Sequence, residues 1–594
     1  MSSYYADKSY EGPETIVVAM DIGTTHSAVS FTYLCPGSHP QGKMVAHWPG
    51  QAHWNGAAKI PSVVSYRNGT AHAYGMDAQK EIEEHADKVA YWFKLHLHPA
   101  SMLRVSGPRG FEIPPLPLGI SIERVYEDLM RYLMENTKRF FGMTTPGGEA
   151  IWARLKNTMV IMLATPNGWD IKQQDVLRRA SIKASLVTED TAGQFLQFLT
   201  EAEASVHYAL ANQSFDWLKK GTVFAVIDCG GSTVDTTVYR CTSAKPLKLE
   251  ETCPSECVQA GGIFVDREVK KMLKNRLQGT PFGDPEVIRI MTRAFERELK
   301  PSFDGVKAEY DLIFSSIREN DAQLGIHKGR LTLQRESLTS IFNVVTDQIV
   351  NSCLDSLIEQ RAKCVVLVGG FAESPYVRHA LWKVLNHMGI DLVTVGDYAK
   401  KAAAEGAIIS YIKQAVVARV VKATFGGCVR EKYNKQLHSA RKHTVQIYAD
   451  GKRRVDGAFH AWIKKGTILQ GAIAYQLPYH LAWDINTPMD EIKKSLGTTQ
   501  IEVFAWEGDN VPIWCKDERG HLMQGMRPVF TLTADLSALA GGLHQTNGFR
   551  GKRCYRVNYL VCVYFGGTQL RATLRWQEKG GTCESAIKVI SDVS

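Results

Sequence analysis

Residues 224–235 read Phe-Ala-Val-Ile-Asp-Cys-Gly-Gly-Ser-Thr-Val-Asp, and this stretch decides the fold of the chain. The apolar run predicts a buried strand that ends at Asp228 and enters a tight turn. Gly230 and Gly231 carry no Cβ, so their backbone N–H groups can approach a phosphate closely. Thr233 adds a hydroxyl donor, and a carboxylate at a strand end can hold a divalent metal, usually through water. Taken alone, the stretch also fits an ordinary β-turn.

A second stretch, residues 16–27, repeats this pattern as Ile-Val-Val-Ala-Met-Asp-Ile-Gly-Thr-Thr-His-Ser. A strand again ends at an aspartate, Asp21, and Gly23, Thr24 and Thr25 follow it. Two such hairpins, about two hundred residues apart, predict two similar half-domains that face one nucleotide. Each hairpin offers its turn to the phosphates and its aspartate to a shared metal. Neither stretch has the Lys-Ser/Thr of a P-loop, which points away from Walker-type ATPases. We call residues 16–27 the first hairpin and residues 224–235 the second.

A third segment, residues 364–376, reads Cys-Val-Val-Leu-Val-Gly-Gly-Phe-Ala-Glu-Ser-Pro-Tyr. A strand runs into Gly369 and Gly370, and Pro375 stands where a helix can begin. This geometry suits close approach of the backbone to an adenosine moiety.

The order of these three segments resembles the superfamily of actin, sugar kinases and heat-shock ATPases. Within it, Asp-Ile-Gly-Thr-Thr-His-Ser, Asp-Cys-Gly-Gly-Ser-Thr-Val-Asp and Leu-Val-Gly-Gly most resemble the seventy-kilodalton heat-shock protein family. The pattern is similar to the divergent branch of heat-shock proteins 12A and 12B and its fungal relatives. The resemblance implies an α/β actin-like nucleotide-binding domain of two ribonuclease-H-like lobes, followed by a β-rich C-terminal module. It also implies ATP or ADP with Mg²⁺ as cofactors.

The resemblance also assigns roles to single residues. Lys94, in Tyr-Trp-Phe-Lys, matches the lysine that reaches the transferred phosphate, and Glu201 matches a second catalytic carboxylate. Glu296 and Lys300 match a helix that grips the ribose and base; an i,i+4 ion pair is the alternative. The expected catalytic residues are Lys94, Glu201, Asp228 and Thr233, and the expected metal-holding residues are Asp21 and Asp228. The expected nucleotide-binding residues are Gly23, Thr24, Thr25, His26, Gly230, Gly231, Ser232, Gly261, Gly262, Glu296, Lys300, Gly369 and Gly370.

Several positions depart from the family pattern. Ser232 replaces a third glycine and adds a side chain beside the phosphates. Pro166 matches a proline that relays nucleotide state, but Gln174 stands where its arginine partner is expected. Lys400 replaces an acid near the base. ATP binding is therefore better supported than rapid hydrolysis, and coupling between domains is supported less than either.

The pattern along the chain predicts an N-terminal tail at 1–14, an ATPase domain at 15–415, a linker at 416–421 and a β-rich module at 422–594. From 15 to 415 strand-like and helix-like segments alternate, which is typical of α/β architecture. Strands are expected near 16–20, 158–164, 222–228, 233–240 and 364–368. Helices are expected near 118–141, 170–185, 201–212, 262–277, 284–300, 336–361, 376–387 and 399–414.

After residue 415 the alternating runs 459–463, 501–506, 529–536, 555–565 and 569–576 predict strands separated by glycine-containing turns such as Gly566-Gly567. They predict a β-sandwich or barrel-like module. Thr-Phe-Gly-Gly at 424, Trp-Ile-Lys-Lys-Gly-Thr-Ile at 462 and Ile-Glu-Val-Phe-Ala-Trp-Glu-Gly at 501 resemble, in the same order, stretches of the chaperones' peptide-binding domain. No long helical segment follows, so we expect no helical lid.

Composition excludes other classes of protein. The polar N-terminus has no signal peptide, and no apolar run is long enough to span a membrane. The twelve scattered cysteines indicate reduced thiols, and the single close pair Cys253 and Cys257 is a poor zinc site. We therefore expect the cytoplasm as the location, with the nucleus as an additional compartment.

The net charge of +9 is concentrated between residues 419 and 465, which hold twelve Lys or Arg against three Asp or Glu. This segment predicts either a surface for an acidic partner or solvated loops around short strands. No nucleic-acid motif accompanies the charges, so solvated loops are the favoured interpretation.

Three functions remain open. The first is a chaperone-like switch in which ATP binding and slow, Mg²⁺-dependent hydrolysis are coupled to a client peptide or protein at the β-module. The second is a non-hydrolysing scaffold that senses nucleotide. The third is a small-molecule kinase of the same superfamily, against which the β-module and the missing sugar-site motif argue.

Overall fold

The computed structural model of the protein describes residues 9–51, 58–99, 113–212, 216–316, 318–394, 402–414, 416–470, 473–497, 499–534, 536–565, 571–578 and 580–590. Lys400 and the expected turn at Gly566-Gly567 lie outside these residues. Contacts divide the chain into two units, the first made of residues 1–169 and 176–416 and the second of residues 170–175 and 417–594.

The first unit alternates strands and helices. Its strands are Thr15–Ile22, His26–Leu34, Gly42–Met44, Lys59–Pro61, Val63–Arg67, Thr70–Tyr74, Val89–Tyr91, Val160–Thr165, Leu196–Thr200, Val223–Cys229, Val234–Ala244, Leu247–Glu251, Glu256–Val258, Glu309–Ile313, Ile326–His327, Arg330–Gln334, Cys364–Val368 and Asp391–Thr394. The α-helices before residue 416 are Gly75–His85, Ile122–Thr144, Gly148–Leu155, Ile171–Lys183, Ala192–Phe195, Glu201–Asn212, Gly262–Leu277, Pro285–Ala294, Lys300–Ser302, Arg335–Glu359, Pro375–His387 and Ala402–Lys413.

Two central sheets are built in the same way around the two hairpins. In one, the hairpin of Thr15–Ile22 and His26–Leu34 is extended by parallel strands Val160–Thr165 and Leu196–Thr200. In the other, the hairpin of Val223–Cys229 and Val234–Ala244 is extended by parallel strands Cys364–Val368 and Asp391–Thr394. Parallel strands need crossover connections, which the intervening helices supply.

The central strands are buried on both faces, which explains why their sequences read as apolar runs. All eight residues of Thr15–Ile22 and all five of Cys364–Val368 are buried. Large aromatic side chains fill the adjoining cores, including Phe31, Tyr126 and Phe141 at the first hairpin and Phe264, Phe295 and Phe342 at the second. The rigid sheets fix the strand ends, and with them the two turns.

Most expected elements of this unit are confirmed, with boundary shifts that have local causes. The helix expected from 118 begins at Ile122, because the Ser121 side chain accepts the Arg124 N–H and caps the helix there. The helical segment expected at 284–300 is present, as the α-helix Pro285–Ala294, a π-helical turn at Phe295–Leu299 and the short α-helix Lys300–Ser302. Pro301 has no N–H to donate to the carbonyl four residues earlier, which is compatible with the wider turn before it.

The second unit is dominated by antiparallel strands. The strands from the unit boundary onward are Val416–Val420, Thr424–Lys432, Gln446–Ile447, Arg453–Ile463, Ile468–Gln470, Ile473–Asp484, Thr499–Trp506, Met526–Ala534, His544–Asn547, Arg553–Phe565, Arg571–Glu578 and Gly581–Ile590. Ten of them form one sheet, in which the long strands Ile473–Asp484 and Arg553–Phe565 pair along twelve residues. Within the described residues after 416, Met489–Leu496 is the one α-helix.

Three further observations concern the described residues. None of their helices has the length and apolar character needed to cross a membrane. No group of three or more His, Cys, Asp or Glu among them has an arrangement that could hold a metal ion directly. All twelve cysteines are described and free, and seven of them are buried.

Candidate functional site

The two hairpins have the same register and the same closing hydrogen bond. In the first, Asp21 pairs with Ala28 and the Gly23 N–H donates to the His26 carbonyl at 3.1 Å. In the second, Asp228 pairs with Asp235 and the Gly230 N–H donates to the Thr233 carbonyl at 2.9 Å. Each aspartate is therefore the last residue but one of its strand, directly before an equivalent turn.

The turns meet each other. The hydroxyl oxygens of Thr24 and Ser232 are 2.6 Å apart, and both side chains are buried. A Cβ at Gly231 would lie 3.2 Å from Thr25 Oγ1. The glycine is therefore what allows the second turn to approach the first. Two backbone turns and their hydroxyl groups thus line one small region of the first unit.

The aspartates of the two strands are both buried, with about a tenth of their surface exposed. Asp228 accepts a hydrogen bond from the Ser205 hydroxyl at 2.7 Å. Burial raises the pKa of Asp228 to about 6 against this hydrogen bond, and the charges of Asp235 and Asp21 add to the rise. The carboxylates therefore repel each other across the two hairpins.

Lys94 and Glu201 form a buried ion pair beside these carboxylates, with Nζ and Oε1 2.6 Å apart. Lys94 lies in the short 3-10 helix Phe93–Leu97, and Glu201 begins the helix Glu201–Asn212. Burial acts to lower the pKa of Lys94, but the Glu201 and Asp21 carboxylates outweigh it and raise the pKa. Burial also raises the pKa of Glu201 to about 7, against the attraction of the lysine. The ammonium remains charged.

The balance of charge fits a divalent cation. The buried Lys94 ammonium lies in a cluster of interacting carboxylates, which are Asp21, Glu201, Asp228 and Asp235. An added cation would relieve the repulsion that raises the two carboxyl pKa values.

The third segment packs against the second hairpin. Gly369 has φ of +93°, a conformation that favours glycine, and a Cβ there would overlap the Asp228 carboxylate and the Cys229 carbonyl. Gly370 is different, because a Cβ there would meet nothing within 4 Å. The open space over Gly370 is where a flat ligand could lie against the backbone.

Gly261 and Gly262 begin the helix Gly262–Leu277 and hold it against the second turn. Their N–H groups donate to the carbonyls of Ser232 and Gly230, at 3.1 and 3.2 Å. A Cβ at Gly261 would overlap the backbone of Gly231 and Ser232. These two glycines therefore contribute through close packing, since their donors are already used.

Lys300 forms an ion pair with the helix Gly262–Leu277: its Nζ lies 2.6 Å from Asp266 Oδ2. This partner differs from Glu296, which an i,i+4 ion pair would have used. Burial raises the pKa of Asp266 to about 7, and the Lys300 charge opposes the rise. The second oxygen, Asp266 Oδ1, is buried and accepts no hydrogen bond within the described residues.

Most of the expected site residues therefore lie close together. Direct contacts join Thr24 with Ser232, Lys94 with Glu201, and Gly261 and Gly262 with the second turn. Gly231 and Gly369 lie so close to Thr25 and Asp228 that an added Cβ would meet those side chains. His26 is exposed and takes part through its carbonyl. Glu296 lies in the π-helical turn next to Lys300, and its charge acts on Asp266.

Sequence reasoning missed several residues of this region: His98, Trp169, Ser205, Asp235 and Asp266. Asp235 could have been found, since it closes the same hairpin two residues after Thr233. The sequence offered no signal for Ser205 or Asp266, which lie on helices whose neighbours only the fold selects. His98 is buried, and its Nε2 lies 3.4 Å from Ser232 Oγ.

Comparisons with known proteins found relatives of this chain at low identity. No family model matches the chain. It is 23% identical over 545 residues to human heat shock 70 kDa protein 12B, covering 76% of each chain. It is 24% identical over 381 residues to a chaperone protein HscA homolog of Chromobacterium violaceum, covering 62% of this chain and 54% of that protein.

Human heat shock 70 kDa protein 12A is 23% identical over 392 residues, covering 60% of this chain and 52% of its own. The matches thus span about half the length of two of these three relatives. Together the three similarities support a place for the chain in the Hsp70 and actin-like ATPase family. The mixed α/β fold, with several sheets and thirteen helices among the described residues, is consistent with such a domain.

Proposed function

We propose that this chain is a slow, Mg²⁺-dependent ATPase that couples its nucleotide state to the binding of a client peptide or protein. The observation that carries the proposal is the buried pair of Lys94 and Glu201 beside Asp21 and Asp228. Burying an ammonium among carboxylates costs free energy, because each of these charges loses its hydration. Clusters of this kind are therefore typical of functional sites. A divalent cation bound with the triphosphate would offset the excess of carboxylates in this cluster.

Phosphoryl transfer depends mainly on positioning and on neutralising charge. The Lys94 ammonium would stabilise the charge on the phosphoryl group and orient the attacking water. Glu201 holds that ammonium at 2.6 Å, and its raised pKa suits acceptance of the proton that the water loses. Hydrolysis of ATP then yields ADP, phosphate and this proton. Bound Mg²⁺, held through water by Asp21 and Asp228, would supply charge neutralisation for the phosphates.

The remaining expected residues would bind the rest of the nucleotide. The Thr24 and Thr233 hydroxyls and the turn N–H groups face the phosphates in this proposal. The adenosine would lie over Gly370, where the backbone has no side chain above it. Lys300 and Glu296 would reach the ribose hydroxyls, with Asp266 holding the Lys300 ammonium at 2.6 Å.

We propose that the client binds the strands after residue 421, as in the resemblance to the chaperones' peptide-binding domain. An acidic partner for segment 419–465 has less support, since several of its cations have internal partners. Arg430 pairs with Asp456 at 3.1 Å, Arg454 pairs with Asp450, and Arg441 donates to the Lys516 carbonyl at 2.6 Å. The twelve free cysteines favour a reducing compartment, so we keep the cytoplasm or nucleus as the proposed location.

One experiment separates the three candidate functions. Purified full-length protein is mixed with saturating Mg-ATP, and nucleotide binding and ADP release are both measured, alone and with a panel of metabolites. Slow release without any metabolite supports the ATPase. Binding without release indicates the scaffold, and release that requires one metabolite indicates a kinase. Absence of nucleotide binding would overturn the proposal.

A further inference from the structure

A chain of hydrogen bonds runs into the two hairpins from a buried tryptophan. The indole Nε1–H of Trp169 donates to His98 Nδ1 at 3.1 Å. His98 Nε2 lies 3.4 Å from Ser232 Oγ, and Ser232 Oγ lies 2.6 Å from Thr24 Oγ1. All four side chains are buried, with 7% or less of their surface exposed.

The direction of this chain follows from the donors. An indole nitrogen can only donate, so His98 Nδ1 must be the acceptor and carries no proton. The neutral ring then carries its hydrogen on Nε2, which donates to the Ser232 hydroxyl oxygen. Since either hydroxyl of this pair could be the donor, Ser232 can give its own hydrogen to Thr24 Oγ1. In that arrangement Thr24 keeps an O–H that no other member of the hydrogen-bond chain uses.

The surroundings of His98 keep the ring neutral. Burial lowers the pKa of His98 to about 3, and the Lys94 ammonium adds to the effect. The same ammonium lies 5.4 Å from the centre of a Trp169 ring. A charged imidazole would place a second cation in this space, whereas the neutral ring offers one acceptor and one donor.

We propose that His98 is a positioning residue for the nucleotide: through Ser232 it orients the Thr24 hydroxyl as a donor toward a phosphate oxygen. This inference rests on the function proposed above. Donors aligned in one direction strengthen each other, and the chain ends on a donor, which suits an acceptor-only anion. This proposal assigns a specific role to the Ser232 hydroxyl. The family that the sequence resembles has glycine at this position.

The test is a double-mutant cycle on the full-length protein, read as affinity for Mg-AMPPNP by calorimetry. We expect His98→Leu and Ser232→Ala each to weaken binding by about five- to tenfold, the usual effect of one lost hydrogen bond. The double variant should bind as Ser232→Ala does, because His98 acts only through Ser232. His98→Gln should recover most of the affinity, since its amide can accept from Trp169 and donate to Ser232.

The matched control is His96→Leu, the same change two residues earlier. His96 is exposed and contacts the Pro114 carbonyl at 2.8 Å, so this variant should bind as the parent does. A second readout needs no nucleotide and no change at His98. Nitrogen NMR of the parent should show His98 protonated on Nε2 and unprotonated on Nδ1 at neutral pH.

Losses that add in the double variant, or an Nδ1-protonated ring, would overturn the role of His98 and leave the proposed function standing. Full affinity in His98→Leu would do the same. A parent protein that binds no Mg-AMPPNP would overturn both. If His98→Leu does not fold, His98→Gln, Ser232→Ala and their combination form the cycle: His98→Gln must bind nearly as the parent does and must have no effect in the Ser232→Ala background.

Discussion

Lys94 and Glu201 are 107 residues apart in the chain, and their Nζ and Oε1 atoms are 2.6 Å apart in the fold. Lys94 is the second residue of a 3-10 helix that begins after Trp92, whose backbone is left-handed with φ of 52°. Glu201 begins an α-helix. A carboxylate in the first helical turn is favoured by the helix dipole, which helps Glu201 to keep the ammonium in place. The pair orients a single positive charge toward the two hairpins.

Lys94→Ala should lower the rate of ATP hydrolysis far more than the affinity for ADP. ADP lacks the phosphate that this ammonium is proposed to reach. Removing one charge that stabilises the transition state costs about 3 kcal/mol, or roughly a hundredfold in rate. Single-turnover hydrolysis and ADP calorimetry measure the two effects, with circular dichroism to verify the fold. Equal losses for both nucleotides would make Lys94 a structural residue.

Asp228→Asn should weaken Mg-ATP binding and leave the fold intact. A carboxylate that holds a metal through water is an outer-shell partner, and its loss costs about 10- to 100-fold in affinity. The stability of the fold should not fall, because burial already disfavours the charged form of Asp228 and raises its pKa. Replacing the carboxylate with a neutral amide removes that cost. Calorimetry with and without Mg²⁺ tests this, and the exposed Asp77→Asn is the matched control. An unchanged Mg²⁺ dependence would remove Asp228 from the site.

Gly369→Ala and Gly370→Ala should behave differently although they are neighbours. The first places a Cβ against the Asp228 carboxylate at φ of +93°, so it should lower the free energy of unfolding by about 1–3 kcal/mol. The second places its Cβ in open space, so its stability should stay near that of the parent. Gly370→Ala should still weaken nucleotide binding. Chemical denaturation and calorimetry give both quantities, and equal stability losses would contradict this assignment.

Asp450→Asn should destabilise the second unit at neutral pH. Arg454 donates to both oxygens of Asp450, at 2.7 and 2.5 Å, and the Lys452 N–H and the His480 ring lie beside them. The Arg454 hydrogen bonds lower the pKa of Asp450 to about 2. A carboxyl with a lowered folded-state pKa stabilises the fold above its unfolded value, and this contribution is lost as pH falls through the folded value.

The difference in unfolding free energy between parent and Asp450→Asn should therefore be constant above about pH 5 and should shrink between about pH 4 and pH 2. Its size at neutral pH should be about 1–2 kcal/mol. Denaturation curves that follow an intrinsic probe of the second unit provide the measurement. A difference that does not vary with pH would show that the ion pair contributes nothing.

Client peptides should dissociate quickly, and ATP should change the rate. Within the described residues after 416, the one α-helix has eight residues, too short to cover a groove. Differences in affinity between related complexes usually arise from the off-rate. Peptide-array selection on the full chain, followed by stopped-flow dissociation with and without ATP, tests this. No binding of any extended apolar peptide would defeat the client proposal, and rates indifferent to ATP would defeat the switch alone.

Local sequence was sufficient for features that depend on residues adjacent in the chain. The apolar runs before Asp21 and Asp228 predicted strands that the structure has at Thr15–Ile22 and Val223–Cys229. Helices such as Gly262–Leu277 and Glu201–Asn212 have the expected bounds, since their 3.6-residue periodicity is continuous. The π-helical turn before Lys300 was missed because Pro301 changes hydrogen bonds that periodicity does not describe.

The sequence by itself determined that two strand–Asp–Gly turns would occur and that a β-rich segment would follow residue 415. Both features depend on short patterns of side-chain size and polarity along the chain. Only the tertiary structure decided which side chains meet at the turns: His98 reaches Ser232 across 134 residues, and Lys300 reaches Asp266 instead of Glu296. Such partners depend on how separate strands and helices pack, because a hydrogen bond requires a distance that spacing along the chain does not specify.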